Sequence, residues 1–470
     1  MNTFLRALTT DDILTENLMP THSTSGNPLL DMFFQMGGSR ELTVPELYGM
    51  LARSLGEDQL KTAKAVFYNR DIRGGQGERR SFRAFFLYLA HNHSDIARKN
   101  IANVPFYGRW DDLLIALDTP IEKDVLDYIL HALKGGDKLC AKWMPRENKQ
   151  FGDIAKRLRE AWGLSARDYR KLLAGNTKVV ETQMCEKEWG EIIYEHVPSK
   201  AMHKYRRAFS RNDGDRFGEF LTAVEEGEKT IHAGAIFPHD VVAPYLRGWD
   251  TALDRAVEAQ WKALPNYMPE GYQILPVCDT SGSMTSNGAL PLKVCVSLGI
   301  YMAERNLGPY KDAFITFSAQ PKLQQLPDST LFDRVQSLSN AHWDMNTDLE
   351  AMFKLVLNQA VRHNVPAEDM PDTLLILSDM QFDRCIKKGS DTALAMQRRM
   401  YAEAGYPMPN VVFWNLRTSS GVPAKFNEQG IALVSGFSPS VLQNIFAGEI
   451  EPMKVMNRTL ENERYDRVVI

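Results

Sequence analysis

Asp279, Ser281 and Ser283 occupy alternate positions in Asp279-Thr280-Ser281-Gly282-Ser283, directly after the apolar stretch Ile274-Leu275-Pro276-Val277-Cys278. On a loop leaving a buried strand, this spacing puts one carboxylate and two hydroxyls on the same side of a tight turn. Such oxygens suit a hard cation like Mg²⁺, whereas thiolates do not. In a doubly wound sheet, ligands collect at the carboxyl ends of strands. Two further residues would then complete the set: Thr347 in Met345-Asn346-Thr347-Asp348, and Asp379 at the end of Thr373-Leu374-Leu375-Ile376-Leu377-Ser378. The five-residue string by itself is equally well a capped strand-to-helix turn, because Ser, Thr and Asp favour such turns. Mg²⁺, Ca²⁺ and Mn²⁺ share these ligands, so the identity of the cation stays open.

Catalysis is not expected. No G-x-S-x-G elbow surrounds Ser281, and the ten histidines show no H-E-x-x-H spacing. A single cation could activate water, but nothing in the sequence identifies a general base or a phosphate substrate for it. The metal reads as a docking device.

A second chemistry lies upstream. Residues 61–211 hold 29 Lys and Arg against 19 Asp and Glu, within a chain of net charge −4. A local surplus of this kind draws polyanions. Between His196 and Arg211 stand Lys200, Lys204, Arg206, Arg207 and Arg211, without an acid, beside Tyr205 and Phe209. Cations neutralise phosphates and aromatic rings stack on unpaired bases, which suits single-stranded RNA. The alternative is a solvated amphipathic helix with both rings in the core. Arg70, Arg73, Arg79, Arg80 and Arg83 surround Gly74, Gly75 and Gly77, where backbone N–H groups and a helix starting near Glu78 could cradle a phosphate. Alternatively these arginines pair with Asp71, Glu78, Asp111 or Asp112 in an interhelical turn. Lys142, Arg146 and Lys149 beside Trp143 form a third such group. No G-K-[S/T] follows the glycines, which excludes a nucleotide-binding P-loop.

These residues need two kinds of scaffold. From about Pro28 to Leu264 apolar residues recur at helical spacing, as in Phe82, Phe85, Phe86 and Leu89, cut by Gly and Pro into helix-length pieces. Roughly five helix pairs of the HEAT type would fit. From Gly271 short apolar strands alternate with amphipathic helices, which predicts a mostly parallel sheet. The expected strands are 272–278, 312–317, 373–378, 410–416 and 431–434, with helices near 290–305, 349–362, 390–403 and 438–446. Pro276 lacks the N–H of a central strand, so a bulge is expected there. The resulting division is an N-terminal extension 1–27, a helical domain 28–268, a sheet domain 269–446 and a tail 447–470. At 470 residues the chain has ample apolar surface for two or three cores. No apolar run reaches the length of a membrane span. Five widely spaced cysteines without a C-x-x-C pair point to buried thiols in a reducing cytoplasm.

The 279–283, 347 and 379 pieces, in this order, resemble the metal-ion-dependent adhesion site of von Willebrand factor A domains. That resemblance implies that Ser281, Ser283 and Thr347 ligate directly, that Asp279 and Asp379 act directly or through water, and that one position stays open for a partner's oxygen. A helical half followed by such a half resembles Ro proteins, whose helical module is named for telomerase, Ro and vault. Asn69-Arg70-Asp71-Ile72-Arg73-Gly74-Gly75-Gln76-Gly77-Glu78-Arg79 is similar to a stretch of Ro-like proteins. So are Ala141-Lys142-Trp143-Met144-Pro145, Val197-Pro198-Ser199-Lys200-Ala201-Met202, Leu377-Ser378-Asp379-Met380-Gln381-Phe382-Asp383 and Val412-Phe413-Trp414-Asn415-Leu416-Arg417. The resemblance implies a cytoplasmic ribonucleoprotein component, monomeric and away from membranes. Its ring of helical repeats would take single-stranded RNA ends and structured noncoding RNA. The rival expectation is a metal-dependent scaffold whose partner protein supplies a carboxylate to the cation.

Overall fold

A computed structural model describes residues 12–15, 17, 19–177, 179–246, 252–317, 320–339, 347–382, 393–417 and 421–470. Asn346, Asp383, Cys385 and the first part of the N-terminal extension lie outside them. The chain forms two compact units, each assembled from three separate segments.

The sheet unit comprises Met1–Asp58, Phe237–Asp254 and Pro265–Asn462. It opens with a small antiparallel hairpin, β1 (Asp12–Leu14) and β2 (Pro20–His22). Its main sheet contains β3 (Ile274–Asp279), β4 (Ala313–Phe317), β5 (Lys322–Gln325), β6 (Thr373–Ser378), β7 (Asn410–Asn415) and β8 (Ile431–Ser435). They lie in the order β5-β4-β3-β6-β7-β8, all parallel except β5 at one edge. Counted within the sheet, this is the doubly wound order 3-2-1-4-5-6, which reverses direction between β3 and β6. Every residue of β3, β6 and β8 is buried, as is nearly all of β7, so both faces are covered.

Two local expectations need correction. Pro276 causes no bulge: the β6 ladder runs unbroken from Ile274 to Cys278, and the β4 ladder begins only at Val277. The exposed edge strand β5 was not expected, because Lys322-Leu323-Gln324-Gln325 has little apolar content. The tail, whose charged sequence shows no clear period, contains the helix Pro452–Leu460, which buries Val455, Met456, Thr459 and Leu460.

The helical unit comprises Gln59–Ile236, Arg255–Leu264 and Glu463–Ile470. Its helices include Gln59–Arg70, Arg80–Asn92, Glu122–Lys134, Ser199–Asn212 and Gly214–Glu225. Around Ser199–Asn212 the core gathers Ile192, Tyr194, Met202, Phe209, Phe217 and Phe220. The division at 268/269 therefore differs from the compact units. The helices Pro28–Met36 and Val44–Glu57 belong with the sheet, and the last eight residues belong with the helices. Helical spacing reports which face a helix buries, not which core buries it.

Candidate metal centre and basic surfaces

The turn after β3 and the turn after β6 leave neighbouring parallel strands at the point where the sheet order reverses. Asp279 and Asp379 both lie there, each 0% exposed. Asp279 Oδ1 accepts the Ser281 N–H at 2.9 Å, and Oδ2 accepts the Ser378 hydroxyl at 2.6 Å. The Ser281 and Ser283 hydroxyl oxygens stand 2.9 Å apart. Adjacent ligands of an octahedral ion with bonds of about 2.1 Å are separated by about 3.0 Å, so this spacing suits two ligands of one small cation. Thr347 is buried and donates its hydroxyl hydrogen to the Gln381 carbonyl at 3.2 Å. The Gln381 N–H in turn donates to Asp379 Oδ1 at 3.2 Å. Hydrogen bonds thus link Asp279 to Ser281 and to Ser378, the neighbour of Asp379, and link Thr347 to Asp379 through Gln381.

The electrostatics of the rim call for positive charge. Burial, followed by the Asp379 carboxylate, pushes the Asp279 pKa up to about 7, against the opposing hydrogen bonds from Ser378 and Ser281. Arg417, just beyond β7, places Nη1 3.8 Å from Asp379 Oδ2 and Nε 2.9 Å from Glu41 Oε2. Among the described residues no three His, Cys, Asp or Glu side chains cluster. The candidate donor set is the one named from the sequence, two carboxylates and three hydroxyls. Its chemistry fits a hard divalent cation, with Asp279, Ser281, Ser283, Thr347 and Asp379 as the residues that could hold one.

Sequence reasoning missed several contributors. Ser378 is adjacent to Asp379 and carries a detectable signal as a hydroxyl at a strand end. Arg417 and Glu41 carry none, because they arrive from positions separated by 376 residues. Gly38 explains the arrival of Glu41: a Cβ there would come within 2.6 Å of the Arg417 carbonyl carbon, so only glycine lets this segment pack so closely.

The first basic cluster is a structural knot. Arg70 is 3% exposed and lies 2.8 Å from Asp112, so it is corrected from a polyanion contact to a buried ion pair. Arg79 pairs with both Asp111 and Asp112, and Arg83 bonds Asp112 at 2.8 Å. Burial opposes the Asp112 charge, but Arg70, Arg79 and Arg83 together hold its pKa below the usual carboxylate range. Gly75 packs directly on the Tyr68 carbonyl, and Asp71 binds Arg464 and the Tyr465 hydroxyl. The glycines therefore serve close packing of the chain on itself. Of this group Arg73 and Arg80 remain exposed. Lys142 bonds Glu181 at 2.9 Å, while Arg109 covers the Trp143 ring at 3.7 Å.

The second cluster divides by helical geometry. In Ser199–Asn212, Lys200, Lys204, Arg207 and Arg211 are exposed at spacings of 4, 3 and 4. At 100° per residue they fall within an arc of about 60°, along about 16 Å of helix. Met202, Arg206 and Phe209 point the opposite way and are buried. Arg206 is corrected accordingly: it donates to the His203 carbonyl at 2.6 Å. Phe209 is buried in the core, so the base-stacking role expected of it fails, whereas Tyr205 is partly exposed against that core with Lys204 Nζ 4.9 Å from its ring.

Residues 15–135 and 136–270 match the family described as Domain of unknown function (DUF2828), more than half of the chain. The chain belongs to the DUF2828 family. Residues 273–467 match a second description, Domain of unknown function (DUF7788). Thus the DUF2828 match covers the basic surfaces, and the second covers the candidate metal centre. A relative from Acanthamoeba polyphaga mimivirus, Uncharacterized protein L728, is 31% identical over 503 residues, covering 95% of this chain and 87% of the viral protein. Among solved structures, the crystal structure of the Deinococcus radiodurans RO (RSR) protein aligns with 94% of this chain and 100% of its own, at 13% identity and a TM-score of 0.49. Among the described residues no helix is long and apolar enough to cross a membrane.

Proposed function

We propose that this DUF2828 protein is a Ro-like RNA-binding protein that scaffolds or sorts noncoding RNA, with a divalent cation, Mg²⁺ or a similar hard ion, as a docking point in its sheet unit. The observation that carries the RNA reading is the exposed row Lys200, Lys204, Arg207 and Arg211, on a helix without a single acidic residue. Because Phe209 is buried and Tyr205 is only partly exposed beneath Lys204, this surface offers mainly charge. It suits the phosphate backbone of structured RNA better than unpaired bases. Arg73 and Lys142 are secondary candidates on the same unit.

The cation would be held by Asp279, Ser281, Ser283, Thr347 and Asp379. Bound there, it would supply a Lewis-acidic position able to accept one oxygen from a partner. The protein's own residues orient the carboxylates and exclude water around them. No base stands assigned to activate that partner, which supports binding over catalysis.

A filter-binding titration against structured RNA tests the proposal. Lys200, Lys204, Arg207 and Arg211 changed together to Glu should remove measurable affinity, and unchanged affinity would refute the RNA surface. The rival reading, a cation-dependent protein scaffold, draws on the buried carboxylate pair alone. It expects Asp279→Ala to abolish capture of a protein partner, and a gently purified sample to show no nucleic-acid absorbance at 260 nm.

A further inference from the structure

The turn bearing Asp379 is fastened by the start of the chain. Met380 adopts a left-handed φ of +65°, and both backbone polar groups of the next residue, Gln381, are bonded. Gln381 N–H donates to Asp379, and Gln381 O accepts from Thr347. That same carbonyl accepts Asn17 Nδ2 at 2.8 Å, across 364 residues of sequence. One residue on, the buried Thr15 hydroxyl donates to Phe382 O at 2.8 Å. Thr15 also closes the bend between β1 and β2, since its N–H donates to Met19 O at 2.9 Å and its Oγ1 accepts the Met19 N–H at 3.0 Å. The hairpin is anchored in turn: His22 and Val422 exchange backbone hydrogen bonds of 3.1 and 2.8 Å. Gly421 leaves room for the approach, because a Cβ there would meet Thr21 Cγ2 at 2.6 Å and His22 O at 2.7 Å.

The geometry points to Asn17 and Thr15 as positioning residues for the cation, acting through the Gln381 and Phe382 peptides. This rests on the cation reading given above. A hydroxyl that gives its hydrogen to Gln381 O keeps its lone pairs for a metal, and a carboxylate held at one oxygen by an N–H loses rotational freedom. Asn17 and Thr15 hold the backbone that sets both. Two of the five ligands, Thr347 and Asp379, are therefore pre-organised by a hairpin outside the alternating strand and helix pattern that carries the ligands. Partners of this kind, removed from the surroundings of metal ligands, weaken affinity by about 10-fold to 100-fold.

The test is a Mn²⁺ titration of the full chain, with free Mn²⁺ counted by electron paramagnetic resonance. Asn17 is exposed, so Asn17→Ala should keep the fold, which circular dichroism in EDTA verifies. Losing its hydrogen bond should weaken Mn²⁺ binding by about 3-fold to 10-fold. Asn17→Ala combined with Thr15→Val should weaken it by about 10-fold or more, while Thr15→Ser, which keeps the donor, should bind as the wild type does. If the wild-type chain takes up no Mn²⁺, the cation reading itself fails. If the wild type binds and Asn17→Ala binds equally well, the cation reading stands and the positioning role is overturned.

Discussion

Charge removal along Ser199–Asn212 should change how RNA affinity responds to salt, not merely its strength. Four cations in one row can neutralise four phosphates. Each such contact contributes about −0.9 to the slope of log affinity against log salt, so the row supplies about −3.6. Raising salt from about 50 to about 200 mM should then lower affinity about 150-fold through this surface alone. Lys204→Ala would leave about −2.7, and the same change in salt would cost about 40-fold. Arg206→Ala, which removes a buried cation facing the other way, should leave the slope where it was. Fluorescence anisotropy with a labelled RNA hairpin over a salt series measures both. An unchanged slope for Lys204→Ala, or equal slope losses for Lys204→Ala and Arg206→Ala, would refute the geometric division of the helix.

Three further outcomes concern the fold and the rim. Asp112→Ala strands the buried Arg70 guanidinium and should destabilise the helical unit by about 3–5 kcal/mol, whereas Arg70→Ala leaves Asp112 with Arg79 and Arg83 and should fall at the low end of that range; chemical denaturation separates them. Gly75→Ala drives a methyl group into the Tyr68 carbonyl and should lower stability by at least about 1–3 kcal/mol by the same measurement, with a near-neutral result excluding the close approach. The third outcome follows from Asp279, whose pKa of about 7 in the cation-free fold exceeds the ordinary carboxylate value near 3.8. The fold then binds a proton that the unfolded chain gives up, so this residue's contribution is lost as pH rises through that window and is fully lost above about 7. In EDTA, wild-type stability should therefore drop relative to Asp279→Asn between about pH 4 and pH 7, and Mg²⁺ should restore the wild type only; parallel pH profiles for the two proteins would count against the raised carboxyl.

The sheet unit was largely legible because buried parallel strands have a simple signature. Apolar runs ending in Asp, as in Ile274–Asp279 and Thr373–Asp379, mark both a strand and its chemically active end. Gln324 and Gln325 gave β5 no such signature, since an exposed edge strand can be polar. That the turns after Asp279 and Ser378 lie side by side followed from topology alone. The positioning groups did not, because Asn17, Glu41 and Arg417 owe their places to packing between distant segments. On the helical side the sequence showed where cations gather but not which way they face. Arg70 and Lys200 look alike in a string of residues. Asp112, 42 positions away, decides that one is an interior strut and the other lies on the surface.

The interleaved segments bear on how the molecule is made. Asp71 sits without solvent in the helical unit, and its guanidinium counterpart, Arg464, is synthesised 393 residues later. While the ribosome is still translating, that carboxylate has no countercharge of this kind, and the aromatic rings of Tyr68 and Tyr107 lack the covering ring of Tyr465. The helical unit therefore reaches its final packing only after residues 463–470 have been synthesised.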